Sequence, residues 1–429
     1  MSAGGVASVA IVGLVFLGLA LLRGGPIALA IPLLVYLGAG LLLGPPGRAS
    51  LRVTRTLGAD RVRPGEPVSV TLTVENPGAD LEEVTIRDRV PPGLKVVEGE
   101  TSALGPLPSG GKLVLEYTLK GPRGSYRFGG AEITVGDPFR IRPRTEVWEA
   151  PRQLFVLPEA RALRRVEIRP RQTRLHAGLI PARRGGPGAE FYGVREYQPG
   201  DPLRSLNAWA VARDPETLYI TEFEQERSAD VGLIVDARRR ADARVGSASL
   251  FEHSVEAAAA LADAFLQGGH RVGLLVYGGH LDWTFPGTGR VQREKILRTL
   301  ARARLGESLV FEGFDYLPTR LFPARSQIVL VSPLLPGDET RLIALRARGY
   351  AVLIVSPDPV SFEARGFPDD ETTRLAVRIA RVERTLLLRR LQRAGIVVVD
   401  WDVEVPFVRA VQATLARSPL WMRPLGVRR

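Results

Sequence analysis

Asp236 closes the apolar run Val231-Gly-Leu-Ile-Val235 and opens onto Ala237-Arg238-Arg239-Arg240. A carboxylate at the end of such a strand can bind a hard cation or accept backbone N–H bonds from the following loop. One known type of Mg²⁺ site at the end of such a strand has the pattern Asp-x-Ser-x-Ser, in which two hydroxyls join the carboxylate as oxygen ligands. Here both hydroxyl positions are arginines, Arg238 and Arg240, which bring positive charge and no acceptor. A later apolar run ends Val331-Ser332-Pro333 and supplies no second Asp. The reading favours a structural Asp236, paired with its own arginines or capping its loop, with Mg²⁺ at Asp236 as the disfavoured alternative and no other cofactor.

Other chemistry is excluded more simply. The chain has no Cys, so a thiolate zinc site, a Cys nucleophile, an iron–sulfur cluster and a disulfide framework are all ruled out. The 4 histidines, His176, His253, His270 and His280, show neither H-x-H nor H-E-x-x-H spacing. Neither G-x-S-x-G nor G-x-x-x-x-G-K-[ST] occurs, which removes the serine hydrolase elbow and the P-loop. No acid/base pair for catalysis emerges, and the chain reads as a non-enzyme. The densest segment is Glu190-Phe191-Tyr-Gly193-Val-Arg195-Glu196-Tyr197-Gln-Pro199-Gly200-Asp201-Pro202-Leu-Arg204, followed by Arg213 and by Glu222-Phe223-Glu224. Pro, Gly and Asp build a turn after Tyr197. Around it Arg195, Glu196, Arg204 and Arg213 form a mixed-charge set, expected to be an ion network that docks this hairpin onto the domain that follows.

The elements that carry these residues follow from composition and period. A length of 429 residues predicts two or three domains. Residues 1–47 hold two charge-free runs separated by Arg23, expected as a two-helix transmembrane hairpin with spans at about 4–22 and 26–43. Arg48, Arg52, Arg55, Arg61 and Arg63 follow the second run, and by the positive-inside rule they place the bulk of a multi-pass cell-membrane protein in the cytoplasm, with the lipid bilayer as a partner. Residues 48–157 alternate in short segments such as Val68-Ser-Val-Thr-Leu-Thr-Val74 between Pro/Gly/Asn turns, the pattern of an antiparallel β-sandwich. Residues 158–228 form a basic linker, with Arg161, Arg164, Arg165, Arg169, Arg171, Arg174, Arg183 and Arg184, and then the dense segment above. Residues 229–429 alternate near-continuous apolar strands with amphipathic helices, which predicts a doubly wound α/β domain. The formal charge of +12 comes almost wholly from Arg. With no aromatic residues interleaved among the linker arginines, a nucleic-acid partner is disfavoured.

The motif Glu190-Phe191, Gly193 to Tyr197, Pro199 to Pro202, Arg204, Ala212-Arg213 and Glu222-Phe223-Glu224, with the strand that ends at Asp236, resembles the bacterial domain of unknown function 58 family. Val62-Arg-Pro-Gly-Glu-Pro67, Gly121-Pro-Arg-Gly-Ser-Tyr126 and Gly136-Asp-Pro-Phe139 extend the likeness through the sandwich. Two positions depart from the family's pattern: its tryptophan two places after Leu206 stands one place later, at Trp209, and Arg140 replaces the Gly after Phe139. The resemblance implies a membrane-anchored protein whose α/β part is von Willebrand factor A-like, associated with MoxR-type AAA+ ATPases. It implies a non-catalytic scaffold or adaptor working with such an ATPase, or with its client protein, in protein assembly or remodelling. The alternative is a divalent-metal-dependent ligand-binding domain or a hydrolase acting on the cell envelope, which would need a metal at Asp236.

Overall fold

The structure, a computed structural model, describes residues 3–22, 24–42, 49–136, 143–160, 163, 180–308, 310, 313–318, 321–323 and 326–416. The chain divides into two compact units, Met1–Leu157 and Pro158–Arg429.

The first unit begins with α1 (Ala3–Ala20) and α2 (Gly24–Leu42), which pack against each other around Ala7, Ile11 and Ala30. The reading of residues 1–47 as a transmembrane hairpin, and with it a multi-pass location in the cell membrane, is overturned. Among the described residues no helix is long and apolar enough to cross a membrane. The described helices have 18 and 19 residues, under the ~20 consecutive apolar residues that a span typically takes. Pro32 lies inside α2, where it has no N–H to give to the helical ladder. A count of uncharged residues registers neither limit.

Eleven strands follow: β1 (Arg52–Leu57), β2 (Arg61–Val62), β3 (Val68–Glu75), β4 (Leu81–Asp88), β5 (Lys95–Gly99), β6 (Ser102–Leu107), β7 (Lys112–Lys120), β8 (Gly124–Phe128), β9 (Ala131–Val135), β10 (Arg144–Trp148) and β11 (Arg152–Val156). They form sheets ordered β1-β3-β7-β5, β10-β9-β4-β6 and β2-β11-β8. The period-2 rule is direct in β3: Val68, Val70, Leu72 and Val74 are buried, and the residues between them are not. They join Ile86, Leu119, Phe128 and Ile133 in one core.

That core contains a charge. Arg55, one of the arginines on which the positive-inside expectation rested, is 1% exposed. Its guanidinium pairs with the Asp88 carboxylate, Nε donating to Oδ2 at 3.1 Å, and also donates to the carbonyls of Gly129, at 2.7 Å, and Ala150. The Tyr117 hydroxyl donates to Asp88 at 2.7 Å. Burial, and then this bond to a carboxylate, pushes the Tyr117 hydroxyl well above its usual pKa. The guanidinium lies 5.2 Å from the centre of the Phe128 ring. Strands of two sheets and the loops at Gly129 and Ala150 are thus tied to one side chain. Arg23, Arg48 and the Asp137-Pro138-Phe139-Arg140 motif lie outside the described residues.

In the second unit β12 (Ile180–Glu196) pairs antiparallel with β13 (Tyr219–Arg227), and the connection holds the short helix α3 (Ala208–Arg213). Then come β14 (Asp230–Ala237), the two-residue strands β15 (Arg244–Val245) and β16 (Ala248–Ser249), α4 (Leu250–Gln267), β17 (Arg271–Gly278), β18 (Leu281–Gly287), α5 (Gly289–Arg302), β19 (Gln327–Val331), α6 (Asp338–Ala347), β20 (Ala351–Pro357), α7 (Pro359–Glu363), α8 (Glu371–Arg393), β21 (Val397–Trp401) and α9 (Phe407–Ala416). Six strands form one sheet in the order β18-β17-β14-β19-β20-β21, parallel except for the edge strand β18. Ile234, Leu275, Ile328 and Ile354 share a core with Leu342 and Leu345 of α6 and with Leu388 and Leu391 of α8. The alternate residues Leu233, Val235, Leu274 and Val329 are buried too, beside α4, which touches β14, β17, β19 and β20. Both faces of the sheet are therefore covered, which is why its strands read as unbroken apolar runs. The linker arginines Arg161, Arg164, Arg165, Arg169, Arg171 and Arg174 lie outside the described residues, as do the side chains of Arg183 and Arg184.

Asp88→Ala is expected to destabilise the sandwich by ~3–5 kcal/mol, because it leaves a buried guanidinium without its counter-charge. Chemical denaturation followed by near-UV signal measures this; a loss below about 1 kcal/mol, the value of an exposed pair, would contradict it.

Candidate functional site

In an open parallel sheet, ligand crevices form beyond the carboxyl ends of the strands where the winding reverses. Here the chain passes from β14 through α4 to β17 on one side, and then returns to β19 on the other. The reversal lies between β14 and β19. Asp236 sits at the end of β14 and Ser332 directly follows β19, so both face this point, and Asp338 joins them as the first residue of α6.

The crevice is filled by Arg238. Asp236 Oδ1 accepts the Arg238 backbone N–H at 3.1 Å and Nε at 2.9 Å. Asp236 Oδ2 accepts an Arg238 terminal nitrogen at 2.8 Å and the Ser332 hydroxyl at 2.6 Å. The same guanidinium donates to Asp338 at 3.1 and 2.7 Å, and Asp338 accepts the Leu335 N–H at 2.8 Å. Asp236, Arg238 and Asp338 are each at most 4% exposed. The Phe314 ring covers the guanidinium at 4.1 Å from its centroid. A carboxylate offers about four lone-pair sites, and those of Asp236 are all engaged. The residues present therefore do not fit a divalent cation at Asp236: a tethered organic cation stands where the ion would. Among the described residues no group of three or more His, Cys, Asp or Glu is placed to hold a metal ion.

Electrostatics follow from two carboxylates sharing one guanidinium. Burial works against the charge on Arg238, but the bonds from Asp236 and then Asp338 outweigh it and raise its pKa above the ordinary value. Asp338 is raised by burial, which exceeds the opposing pull of Arg238. The Tyr277 hydroxyl, which donates to the Gly313 carbonyl at 2.7 Å, is pushed by burial up to about 12. Close backbone contact locks the surroundings. A Cβ on Gly306 would lie 2.6 Å from the Gly279 Cα, so only glycine fits where these two loops cross.

Beside this cluster lies a cleft of about 440 Å³, lined by Leu334, Pro336, Glu339, Val360, Arg384 and Leu387 among others. Leu334 adopts φ +66, a left-handed conformation costly for a non-glycine residue. Its N–H bonds to the Ser332 hydroxyl at 3.0 Å, which ties the cleft wall to the Asp236 cluster. Arg384 donates to the Pro333 and Ser356 carbonyls at 3.0 and 3.2 Å and to Asp400 at 2.7 Å, joining the ends of three strands. The cleft has an apolar lining and a charged rim, with Arg390 bonded to Glu339 at 3.0 Å.

The motif residues cluster on the β12–β13 hairpin. Gly193 pairs with Glu222 and Glu196 with Tyr219, and the Tyr197 N–H bonds to the Leu218 carbonyl. Pro199, Gly200 (φ +108), Asp201 and Pro202 make the turn. Arg195 grips Asp201 with two bonds of 2.7 Å and Glu222 with one of 2.6 Å. Asp201 also accepts the Gln198 N–H at 2.8 Å. Of the expected network of Arg195, Glu196, Arg204 and Arg213, the ion pairs seen among the described residues are those of Arg195, whose partners are acids of the hairpin and its turn. Arg204 and Arg213 are exposed, as is Phe191. The side chains of Glu190 and Phe223 lie outside the described residues. The sequence places Ser332 where a second acid would stand without showing that it bonds to Asp236, and it gives no local link from Asp236 to Asp338 or Phe314; the Arg at a hydroxyl position was the available signal.

Two outcomes test this geometry. Arg238→Ala leaves two buried carboxylates uncompensated and is expected to cost ~3–5 kcal/mol in chemical denaturation; Arg238→Lys cannot bridge both acids with a planar fork and should not restore wild-type stability. At the hairpin, bonds from Arg195 and then from the Gln198 N–H lower the pKa of Asp201. A folded pKa below the unfolded one gives stability that is present above the ordinary carboxylate value and lost as pH falls through the lowered one. Hydrogen exchange at the Gln198 amide should therefore quicken in that acid window beyond its intrinsic pH dependence, and Asp201→Asn should remove that excess.

Over 129 residues the chain is 36% identical to "Uncharacterized protein Rv1480" of Mycobacterium tuberculosis and to "Uncharacterized protein Mb1516" of Mycobacterium bovis, an overlap of 29% of this chain and 38% of each relative. The match thus spans well under half the length of these relatives. A crystal structure of a CARDB domain from Pyrococcus furiosus, in complex with di-metal ions, is similar at 16% identity and TM-score 0.19 over 25% of this chain and 89% of that one. Residues 193–366, from the motif hairpin through the Asp236 cluster to the turn after α7, match the family described as "Protein of unknown function DUF58".

Proposed function

We propose that this protein is a non-catalytic scaffold or adaptor that binds another protein through exposed surface of its second unit. The observation that carries the reading is the Arg238 clamp. The crevice where a sheet of this kind would hold a ligand is occupied by the chain's own guanidinium, with Asp236, Ser332 and Asp338 committed to it. None of these groups is free to act as base, nucleophile or metal ligand.

A surface suited to a protein partner supports the same reading. On the hairpin and the segment between its strands, Phe191, Leu203 and Trp209 are 65%, 66% and 83% exposed. Arg204 and Arg213 are exposed in the same segment. Exposed Trp and Arg are the residue types that dominate the energy of protein interfaces. The partner proposed, from the motif resemblance, is a MoxR-type AAA+ ATPase or its client protein.

Co-purification of the full chain with a MoxR-type ATPase from the same genome, with and without ATP, tests this. Recovery by the wild-type chain and loss with Trp209→Asp is expected. Equal recovery with Trp209→Asp removes the surface assignment, and no recovery under either condition removes the partner.

A further inference from the structure

Helix α8 is apolar on two opposite sides. At about 100° per residue, Val377, Ala380, Leu387, Leu388 and Leu391 share one side, where Leu388 and Leu391 are buried in the core and the other three are half-buried. Leu375, Ile379, Val382 and Leu386 form a narrow stripe on the other side, 58%, 53%, 56% and 50% exposed. Their spacing of four, three and four residues is that of a coiled-coil seam. The inner side is covered by the core, whereas the outer stripe is open to solvent in the single copy.

We propose that α8 pairs, parallel and in register, with α8 of a second copy of this chain, with Leu375, Ile379, Val382 and Leu386 forming the seam. The charges beside the stripe select this occupant and this direction. With Ile379 and Leu386 at heptad position a and Leu375 and Val382 at d, Arg378 falls at g and Glu383 at e. In a parallel pair a g residue meets the partner's e residue five positions further on. Arg378 of each copy therefore meets Glu383 of the other, and two-fold symmetry makes the pair twice. Antiparallel pairing sets g against g and e against e, and it loses both ion pairs. Arg378 and Glu383 are both exposed in the single copy. At the next d position Arg389 would face its own copy, so like charge ends the seam after Leu386 and keeps it short. The inner face already holds α8 in place, so pairing pays no cost of helix formation. The dimer is accordingly reversible, concentration-dependent and weakened by salt at its flanking pairs. This assignment is independent of the proposed ATPase partner.

Sedimentation velocity of the full chain from about 1 to about 100 µM reads the association directly. The wild-type chain should shift from monomer towards dimer over this range. Ile379→Glu, at an exposed position, should stay monomeric with unchanged circular dichroism and melting temperature. Arg378→Glu should weaken the dimer roughly tenfold or more by opposing like charges, and Arg378→Glu with Glu383→Arg should restore it. Because the chain has no Cys of its own, Thr372→Cys, at the preceding a position, should cross-link to itself under mild oxidation when the helices run parallel. A wild-type chain that stays monomeric throughout, a dimer untouched by Ile379→Glu, or a dimer without the Thr372→Cys cross-link would each overturn the assignment.

Discussion

The second unit depends on the placement of one guanidinium between two carboxylates. Arg238 follows β14 by a single residue, yet its side chain returns to the carboxyl end of that strand and reaches α6. Without it, Asp236 and Asp338 would present two charges to a nearly dry interior, at a cost of several kcal/mol per ion. With it, the carboxylates fix the loop after β19 through Ser332 and the start of α6 through Leu335. The cation is covalently part of the chain and stands between the two carboxylates. The guanidinium thus joins the end of one strand, the loop after another and the start of a helix at the switch point of the sheet.

The sandwich uses the same device. Arg55 grips Asp88 and two backbone carbonyls, with Tyr117 completing the carboxylate's shell. Arginine suits both places because its fork of five donors reaches several acceptors at once and its weakly hydrated plane packs against a ring. Phe128 and Phe314 supply those rings. The third grip, Arg195 on Asp201 and Glu222, is built from the same groups, but its side chain remains 35% exposed. Solvent screens it, so it orients a turn where the buried pairs hold a core together.

Parts of this were legible in the sequence. The alternation of Val68, Val70, Leu72 and Val74 gives the inner face of β3, and the unbroken run Val231 to Val235 gives a strand covered on both faces. The turn at Pro199-Gly200-Asp201 follows from residue type, and the arginine at the first hydroxyl position after Asp236 argued against a metal before any geometry. Other parts were misread for identifiable reasons. The two charge-free runs in the first 47 residues read as a membrane hairpin, whereas among the described residues no helix is long and apolar enough to cross a membrane. Arg55 counts in the sequence only as one of several arginines after the second charge-free run, and nothing local distinguishes the one that is buried against Asp88. Arg195 was recognised as part of a charge network, but its partners were not, because opposite charges near a turn do not state which of them meet.

By itself, then, the sequence determined what depends on neighbours a few residues away: strand periods, turns, the two-sided pattern of α8 and the absence of cysteine chemistry. Only the tertiary structure decided which charges pair. Arg55 and Asp88 are 33 residues apart, Ser332 and Asp236 are 96 apart, and Arg238 and Asp338 are 100 apart. Local preference is set by backbone sterics and by the period of a helix or strand, and both act over short distances along the chain. The energy of an ion pair is set by its depth from water and by its full set of partners, and these exist only once distant segments have packed together.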